Sequence, residues 1–287
     1  MALLQAFGGS LNAVHLQKLL FLFTRTQTVK SFDFVPYQYG CFSFQANQDL
    51  ATMQKYGLVK FPDSKTVELA IDENFLATLD LFDQAGMDEV KQKFGDMTVR
   101  EVVQYTYRGY PYYATKSKIA AKIMNEEELA KIEKQKRFYS DPQLFTIGYE
   151  GLSLEAYINK LIINDVHILC DVRKNAYSQK YGFSKSQLET ACKGVGIKYV
   201  HVPQLGLESD KRRDLRSQRD YDLLFDEYER TTLKSNTEAL DYVRNLIRTD
   251  KRVALTCFEK DPNQCHRSRV AKALMNYKDK DYTLKLL

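Results

Sequence analysis

The sequence predicts an α/β protein in which a mainly helical, winged-helix-like domain (residues 1–138) precedes a parallel-sheet, Rossmann-like domain (residues 139–287). Three observations lead to this prediction. Apolar residues recur at helical spacing in the first half, and a Ser-Asp-Pro turn signal follows Phe138. Beyond that turn, short apolar runs alternate with helical segments. Such runs are typical of strands that are covered on both faces of a parallel sheet.

The first half combines helices with one hairpin signal. Apolar spacing predicts a helix over Leu11–Phe23, and a second helix is expected from an Asn47 cap to Tyr56, with Gly57 as its stop. The segment LVKFPDSKTVELAI then predicts two strands joined by a polar turn. This order indicates a winged-helix-like module. Further helices are expected over residues 74–94, 98–107 and 117–136.

The second half alternates strands and helices. Four strands are expected in LFTIGYEG, VHILCDVR, IKYVHVP and RVALTCFE. The intervening helices are expected over residues 153–163, 184–192 and 221–248, and a last helix begins near Cys265. This alternation predicts the parallel sheet.

The composition excludes some classes of protein but does not identify a function. Hydrophobic residues make up 44% and charged residues 28%, which excludes a disordered or fibrous chain. The net charge of +5 permits a polyanionic partner. No long apolar run and no secretory signal is present, so we expect a cytoplasmic protein without membrane contact. The five cysteines are expected to be thiols, because a chain of this length does not need disulfides.

Polar residues fall at the carboxyl ends of the four strands predicted in the second half, where parallel α/β sheets bind ligands. We expect three catalytic residues here, Asp171, Cys257 and Glu259. The expected substrate-binding residues are Gly148, Tyr149, Arg173, His201, Cys265, His266 and Arg267. The last three would lie in the first turn of a helix, where backbone N–H groups and the helix dipole favour an anion.

Other interpretations of these residues stay open. Cys170 and Cys257 fit packed core thiols, Asp171 and Arg173 fit an internal ion pair, and His201 fits a structural histidine. Zinc is disfavoured because C-x₇-C-H is not a standard ligand spacing and adjacent residues at a helix start diverge. The sequence therefore predicts no metal and no cofactor.

An arginine-rich segment, Glu208 to Asp220, carries Lys211, Arg212, Arg213, Arg216 and Arg219. Such density suits phosphate contacts and a lid over the strand ends. A solvated surface loop is the other interpretation.

Four stretches carry a family resemblance: TIGYEG, CDVRKNAYSQKYGFSKSQL, IKYVHVPQLG and LTCFEKDPNQCHRSRVA. Together they resemble the domain of unknown function 488 family over Leu144–Met275, although YSQKYGF is longer than the usual stretch and leaves the role of Ser178 open. The resemblance implies an α/β domain with the DVR and C-x-E…CHR residues on motif positions. The first half resembles the Panacea-type domain of phage-associated antitoxins through LQKLLFLF and FDFVPYQYGCFSF, with Cys41 in place of a proline. That resemblance implies a recognition or regulatory module.

The sequence therefore predicts a bacterial enzyme that performs hydrolytic or base-directed chemistry on a nucleotide or nucleic acid, in DNA modification or phage defence. Arg173 and Arg267 would bind phosphate, Glu259 or Asp171 would move protons, and Cys257 would line the site or attack. The alternative is a non-catalytic, antitoxin-like or regulatory protein that senses a small anion and binds a protein partner through its first domain. Thiol redox chemistry is a third possibility.

Overall fold

A computed structural model describes residues 1–208, 215 and 217–287. The chain divides into two compact units, Met1–Lys136 and Arg137–Leu287. Within the described residues, no helix has the length and apolar character that crossing a membrane requires.

The N-terminal unit contains seven α-helices and five short strands among its described residues. The helices are α1 (Ala2–Ala6), α2 (Ala13–Phe23), α3 (Phe44–Lys55), α4 (Leu81–Phe94), α5 (Val99–Gly109), α6 (Ala120–Ile123) and α7 (Glu126–Glu133). The strands are β1 (Ser10–Asn12), β2 (Val35–Tyr37), β3 (Gly40–Phe42), β4 (Val59–Lys60) and β5 (Thr66–Leu69). One sheet has the order β1-β5-β4, and β2 pairs with β3. The winged-helix interpretation of this unit stays a prediction.

Three helices expected in this unit differ in detail. The helix expected over 74–94 begins at Leu81, because Asp80 is its cap and accepts a hydrogen bond from the Asp83 N–H at 2.8 Å. Helix α3 begins earlier than expected, because Ser43 and not Asn47 is its cap: the Ser43 hydroxyl accepts a hydrogen bond from the Ala46 N–H at 3.2 Å. The helix expected over 117–136 is two helices, because Asn125 starts a new one with a capping box that includes Glu128.

The C-terminal unit contains five α-helices and five strands among its described residues. In chain order they are β6 (Gln143–Gly148), α8 (Leu154–Ile163), β7 (Ile168–Asp171), α9 (Lys185–Gly194), β8 (Lys198–His201), α10 (Gln218–Tyr228), α11 (Thr237–Asp250), β9 (Arg252–Cys257), α12 (His266–Met275) and β10 (Thr283–Leu286). The helix expected over 221–248 was wrong as a single element, since a π-helix (Glu229–Leu233) separates α10 from α11.

The five strands form one sheet in the order β10-β6-β9-β7-β8, and every neighbouring pair is parallel. This confirms the α/β fold class with a parallel C-terminal sheet. The edge strand β10 was not expected, because its residues are all exposed and give no buried-strand signal.

Helices cover both faces of the central strand β9. Val253 and Leu255 pack in one core cluster with apolar residues of α11 and α12. Thr256 points to the other face, because side chains alternate along a strand, and it accepts a hydrogen bond from Tyr157 of α8 at 2.7 Å. Cys257 therefore shares its face with Leu255, on the side of α12.

Candidate functional site

The sheet register brings the predicted polar residues together. Gly148 of β6 is paired with Cys257 of β9, and Asp171 of β7 is paired with both Thr256 and His201. The carboxyl ends of four strands therefore lie side by side, as the sequence predicts for an α/β binding site.

Cys257 lies between a carboxylate and an imidazole. Its Sγ donates to Oε2 of Glu259 at 3.2 Å and lies 3.6 Å from Nδ1 of His266. Nε2 of His266 is 2.8 Å from the carbonyl oxygen of Val172. Because a carbonyl only accepts, Nε2 carries the proton in a neutral ring, and Nδ1 presents its lone pair to Cys257.

Cys265 is the N-cap residue of α12 and lies beside Cys257 and His266. Burial raises the pKa of Cys265 well above its ordinary value, and its hydrogen bond with Cys257 and the charges of Cys257 and Glu259 raise it further. The ligand atoms of Cys257, Cys265 and His266 all lie within 4.8 Å of one another. These three residues form the candidate metal-binding cluster of the described chain.

The loop that carries Glu259 is fixed from both sides. A Cβ on Gly148 would lie 1.9 Å from the Glu259 carbonyl oxygen, so only glycine allows this approach. On the other side, the buried Arg267 guanidinium donates to the carbonyl oxygens of Glu259 at 2.5 Å and Lys260 at 3.2 Å. The Lys260 N–H donates to the Glu150 carboxylate at 2.8 Å.

A buried ion pair forms the opposite side of the site. Arg173 donates through Nε and Nη2 to the Asp171 carboxylate, with the shortest contact at 2.5 Å, and through Nη1 to the Tyr149 hydroxyl at 2.8 Å. The Tyr199 hydroxyl also donates to Asp171 at 2.7 Å. The internal ion pair that the sequence left open is therefore present.

These groups border a pocket of about 350 Å³. Its lining combines reactive, cationic and aromatic side chains, among them Tyr149, Arg173, Lys174, Tyr177, Lys180, Cys257, Phe258, Glu259 and His266. A pocket of this volume suits a small molecule or a single nucleotide.

One family model matches part of the C-terminal unit. Residues 153–274 match the family model described as domain of unknown function DUF488. The match supports the C-terminal resemblance and includes most of the pocket-lining residues. Comparisons with curated proteins and with solved structures find no match. The DUF488 match does not reach the N-terminal unit, so the Panacea-type resemblance stays a prediction.

Within the C-terminal unit, the expected site residues fall into two groups. Tyr149, Arg173, Cys257, Glu259 and His266 line the pocket. The others contact residues of the lining. Gly148 and Arg267 pack against the loop that carries Glu259. Cys265 contacts Cys257, and the fully buried Asp171 binds Arg173. Gly148, Arg267 and Asp171 thus contact protein groups behind the pocket, and the substrate-binding and catalytic roles expected of them stay predictions.

His201 lies outside the pocket lining. Its Nε2 is 2.9 Å from the Arg173 carbonyl oxygen, and its ring borders a separate pocket of about 400 Å³ with Gln204, Asn236 and Glu238. His201 therefore lies apart from the described lining of the Cys257 pocket, and both its structural and its substrate-binding interpretation stay predictions.

Sequence reasoning missed Lys174, Tyr177, Lys180 and Phe258, which all line the pocket. The signal was present in DVRKNAYSQK, where two lysines and an exposed aromatic follow the end of β7. Four residues of the arginine-rich segment, Lys211, Arg212, Arg213 and Arg216, lie outside the described residues. Arg219 lies in the first turn of α10.

A separate apolar pocket of about 240 Å³ lies in the N-terminal unit, bordered by Lys18, Tyr37 and Phe42. Nζ of the buried Lys18 donates to the Cys41 carbonyl oxygen at 2.7 Å, and burial lowers the pKa of this lysine.

Proposed function

We propose that the C-terminal unit is a hydrolytic enzyme that acts on a nucleotide or on the terminal nucleotide of a nucleic-acid strand. One observation carries this proposal: a single pocket joins the reactive group of Cys257, Glu259 and His266 to a wall of lysines and exposed aromatic rings. Each part of that lining matches one part of a nucleotide.

Lys174 and Lys180 are the groups assigned to the phosphate. Lys174 is exposed, and Nζ of Lys180 donates to the Tyr149 carbonyl oxygen at 3.2 Å at the pocket edge. Lysine binds phosphate as a point charge. The guanidinium of Arg173 and the two Nη groups of Arg267 donate to protein acceptors, so we assign the phosphate to the two lysines instead.

Tyr177 and Phe258 are assigned to the base. Their side chains are 70% and 43% exposed, although both border the pocket. Aromatic faces at a pocket edge stack on nucleobases, at about 1–3 kcal/mol for each base.

Glu259 is the proton acceptor in this proposal. It lines the pocket, whereas Asp171 is fully buried behind Arg173. In the hydrolytic step, a water gives one proton to Glu259 while its oxygen bonds to the electrophilic atom of the substrate. The bond to the leaving group breaks, and the leaving group takes the proton from Glu259.

The test is incubation of the purified chain with nucleoside mono-, di- and triphosphates and with short single strands, followed by mass spectrometry of the products. Glu259→Gln is expected to lower kcat/KM by about 10²-fold or more, because the proton acceptor is lost. The Lys174→Ala, Lys180→Ala double variant is expected to raise KM about tenfold or more through lost charge-assisted contacts.

Lys193→Ala is the matched control, because this lysine is exposed on α9 and does not line the pocket. Turnover by Glu259→Gln at the wild-type rate would refute the assigned mechanism. Nucleotide binding without any product would favour the regulatory or antitoxin-like alternative, with the N-terminal unit as the partner-binding module.

A further inference from the structure

Three potential metal ligands converge at the Cys257 side of the pocket. Sγ of Cys257, Sγ of Cys265 and a ring nitrogen of His266 lie within 4.8 Å of one another, and all three residues are buried. The sequence disfavoured zinc because Cys265 and His266 are adjacent. The structure removes that objection: Cys265 has extended backbone angles (φ −131°, ψ 132°) and His266 begins the helix, and both side chains face Cys257.

The tautomer of His266 is suited to metal binding. Its Nε2 is directed at the Val172 carbonyl oxygen at 2.8 Å, which leaves the Nδ1 lone pair directed at Cys257. Metal-binding histidines usually donate their second ring N–H to a carbonyl or carboxylate in this way, which fixes the ring orientation.

The spacing of the ligand atoms also fits zinc. Bond lengths of about 2.3 Å for Zn–S and about 2.0–2.1 Å for Zn–N at a tetrahedral angle separate sulfur and nitrogen by about 3.6 Å. Sγ of Cys257 lies 3.6 Å from Nδ1 of His266. Glu259 adds a carboxylate 3.2 Å from the same sulfur. Two thiols and a ring nitrogen thus lie close enough together to bind one cation, and the Glu259 carboxylate lies next to one of the two sulfurs.

We propose that Cys257, Cys265 and His266 bind one zinc ion that faces the pocket. Thiolate and imidazole ligands select zinc over magnesium or calcium. Cys257, Glu259 and His266 line the pocket, so a fourth coordination position would be open to water, as in catalytic zinc sites.

This inference deepens the proposed function and rests on it for its catalytic part. The water that gives its proton to Glu259 would be the zinc-bound water, and its oxygen would form the new bond to the substrate. Cys265 does not line the pocket, so its role would be that of a ligand alone.

The test is metal analysis of the full chain, purified under reducing conditions, loaded with zinc and dialysed against metal-free buffer. We expect one zinc per chain in the wild type and less than about a tenth of that in Cys265→Ser and His266→Ala, because each loses a ligand. Cys192→Ser is the matched control, since Cys192 is equally buried and lies outside the cluster. It is expected to keep its zinc.

Cobalt loading of the wild type provides a readout that does not depend on any variant folding. A tetrahedral site with two thiolates is expected to give intense visible bands and a sulfur-to-cobalt charge-transfer band. A wild-type chain that retains neither zinc nor cobalt would overturn the inference, as would equal metal loss in Cys192→Ser and Cys265→Ser.

Failure of this inference and failure of the proposed function give different results. Nucleotide turnover that persists in chelator-treated, metal-free protein would overturn the catalytic part of the zinc inference and leave the proposed enzymatic function intact. Stoichiometric zinc without turnover of any nucleotide would leave the metal site and overturn the proposed function.

Discussion

At the scale of single residues, the ion pair between Asp171 and Arg173 shapes one side of the pocket. Both side chains are buried, and Tyr149 and Tyr199 complete their hydrogen bonds. Burial opposes the charge on Arg173, but the hydrogen bond and attraction to Asp171 raise its pKa above the ordinary value, so it stays charged. The pair therefore positions the Tyr149 and Arg173 side chains that the substrate would meet.

Asp171→Asn is expected to lower the free energy of unfolding by about 3–5 kcal/mol, because it leaves a buried guanidinium without a counter-charge. Chemical denaturation of the full chain measures this loss. Asp279→Asn is the control, since that aspartate pairs with Arg244 but is 60% exposed, and its loss is expected to be below about 1 kcal/mol. Equal losses in the two variants would contradict a stabilising role for the buried pair.

The sequence could identify these residues but not their orientation. The DVR stretch at a strand end was compatible with a reactive carboxylate and with an internal ion pair. The deciding partners, Tyr149 and Tyr199, are 24 and 28 residues away from the groups they contact. Only tertiary packing brings such partners together, so local patterns cannot reveal them.

At the scale of elements, the packing of β6 against the loop after β9 determines where Glu259 lies. Gly148→Ala is expected to displace that loop, because the new Cβ would lie 1.9 Å from a backbone carbonyl oxygen that Arg267 also binds. We expect a loss of about 1–3 kcal/mol in stability from this overpacking. The same variant should lower kcat more than it raises KM, since the lysines that we propose to bind phosphate lie on another segment.

Steady-state kinetics and thermal unfolding of Gly148→Ala test this coupling. Gly109→Ala is the control, because an added Cβ there meets no atom within 4 Å. Its kinetics are expected to be unchanged and its stability equal or slightly higher. Wild-type kinetics in Gly148→Ala would show that the approach of the two elements does not control Glu259.

Strands that form a continuous apolar run in the sequence were predicted, and the strand that lacks such a run was not. Apolar runs predicted β6, β7, β8 and β9 because buried parallel strands need continuous apolar residues. The exposed edge strand β10 lacks that signal and depends on pairing with β6. Helix ends moved where a hydroxyl or amide cap competed with periodicity, as at Ser43 and Asn125.

At the scale of the whole molecule, the hydrophobic clusters follow the division into two units. One cluster joins β-strand residues such as Leu144 and Leu255 to α10, α11 and α12 in the C-terminal unit. Another joins α1, α2 and α4 through residues such as Leu19 and Met87 in the N-terminal unit. Each unit thus has a core of its own, which is what independent folding requires.

Residues 137–287, expressed alone, are therefore expected to fold and to keep both bound zinc and nucleotide turnover. The fragment contains the whole parallel sheet and every residue that lines the Cys257 pocket. Circular dichroism, metal analysis and the product assay should give the same values for the fragment and the full chain with a single nucleotide as substrate. If the N-terminal unit recognises nucleic acid, only the full chain should bind longer strands in a salt-dependent way. A fragment that is folded but inactive on single nucleotides would instead show that the N-terminal unit contributes to the reaction itself.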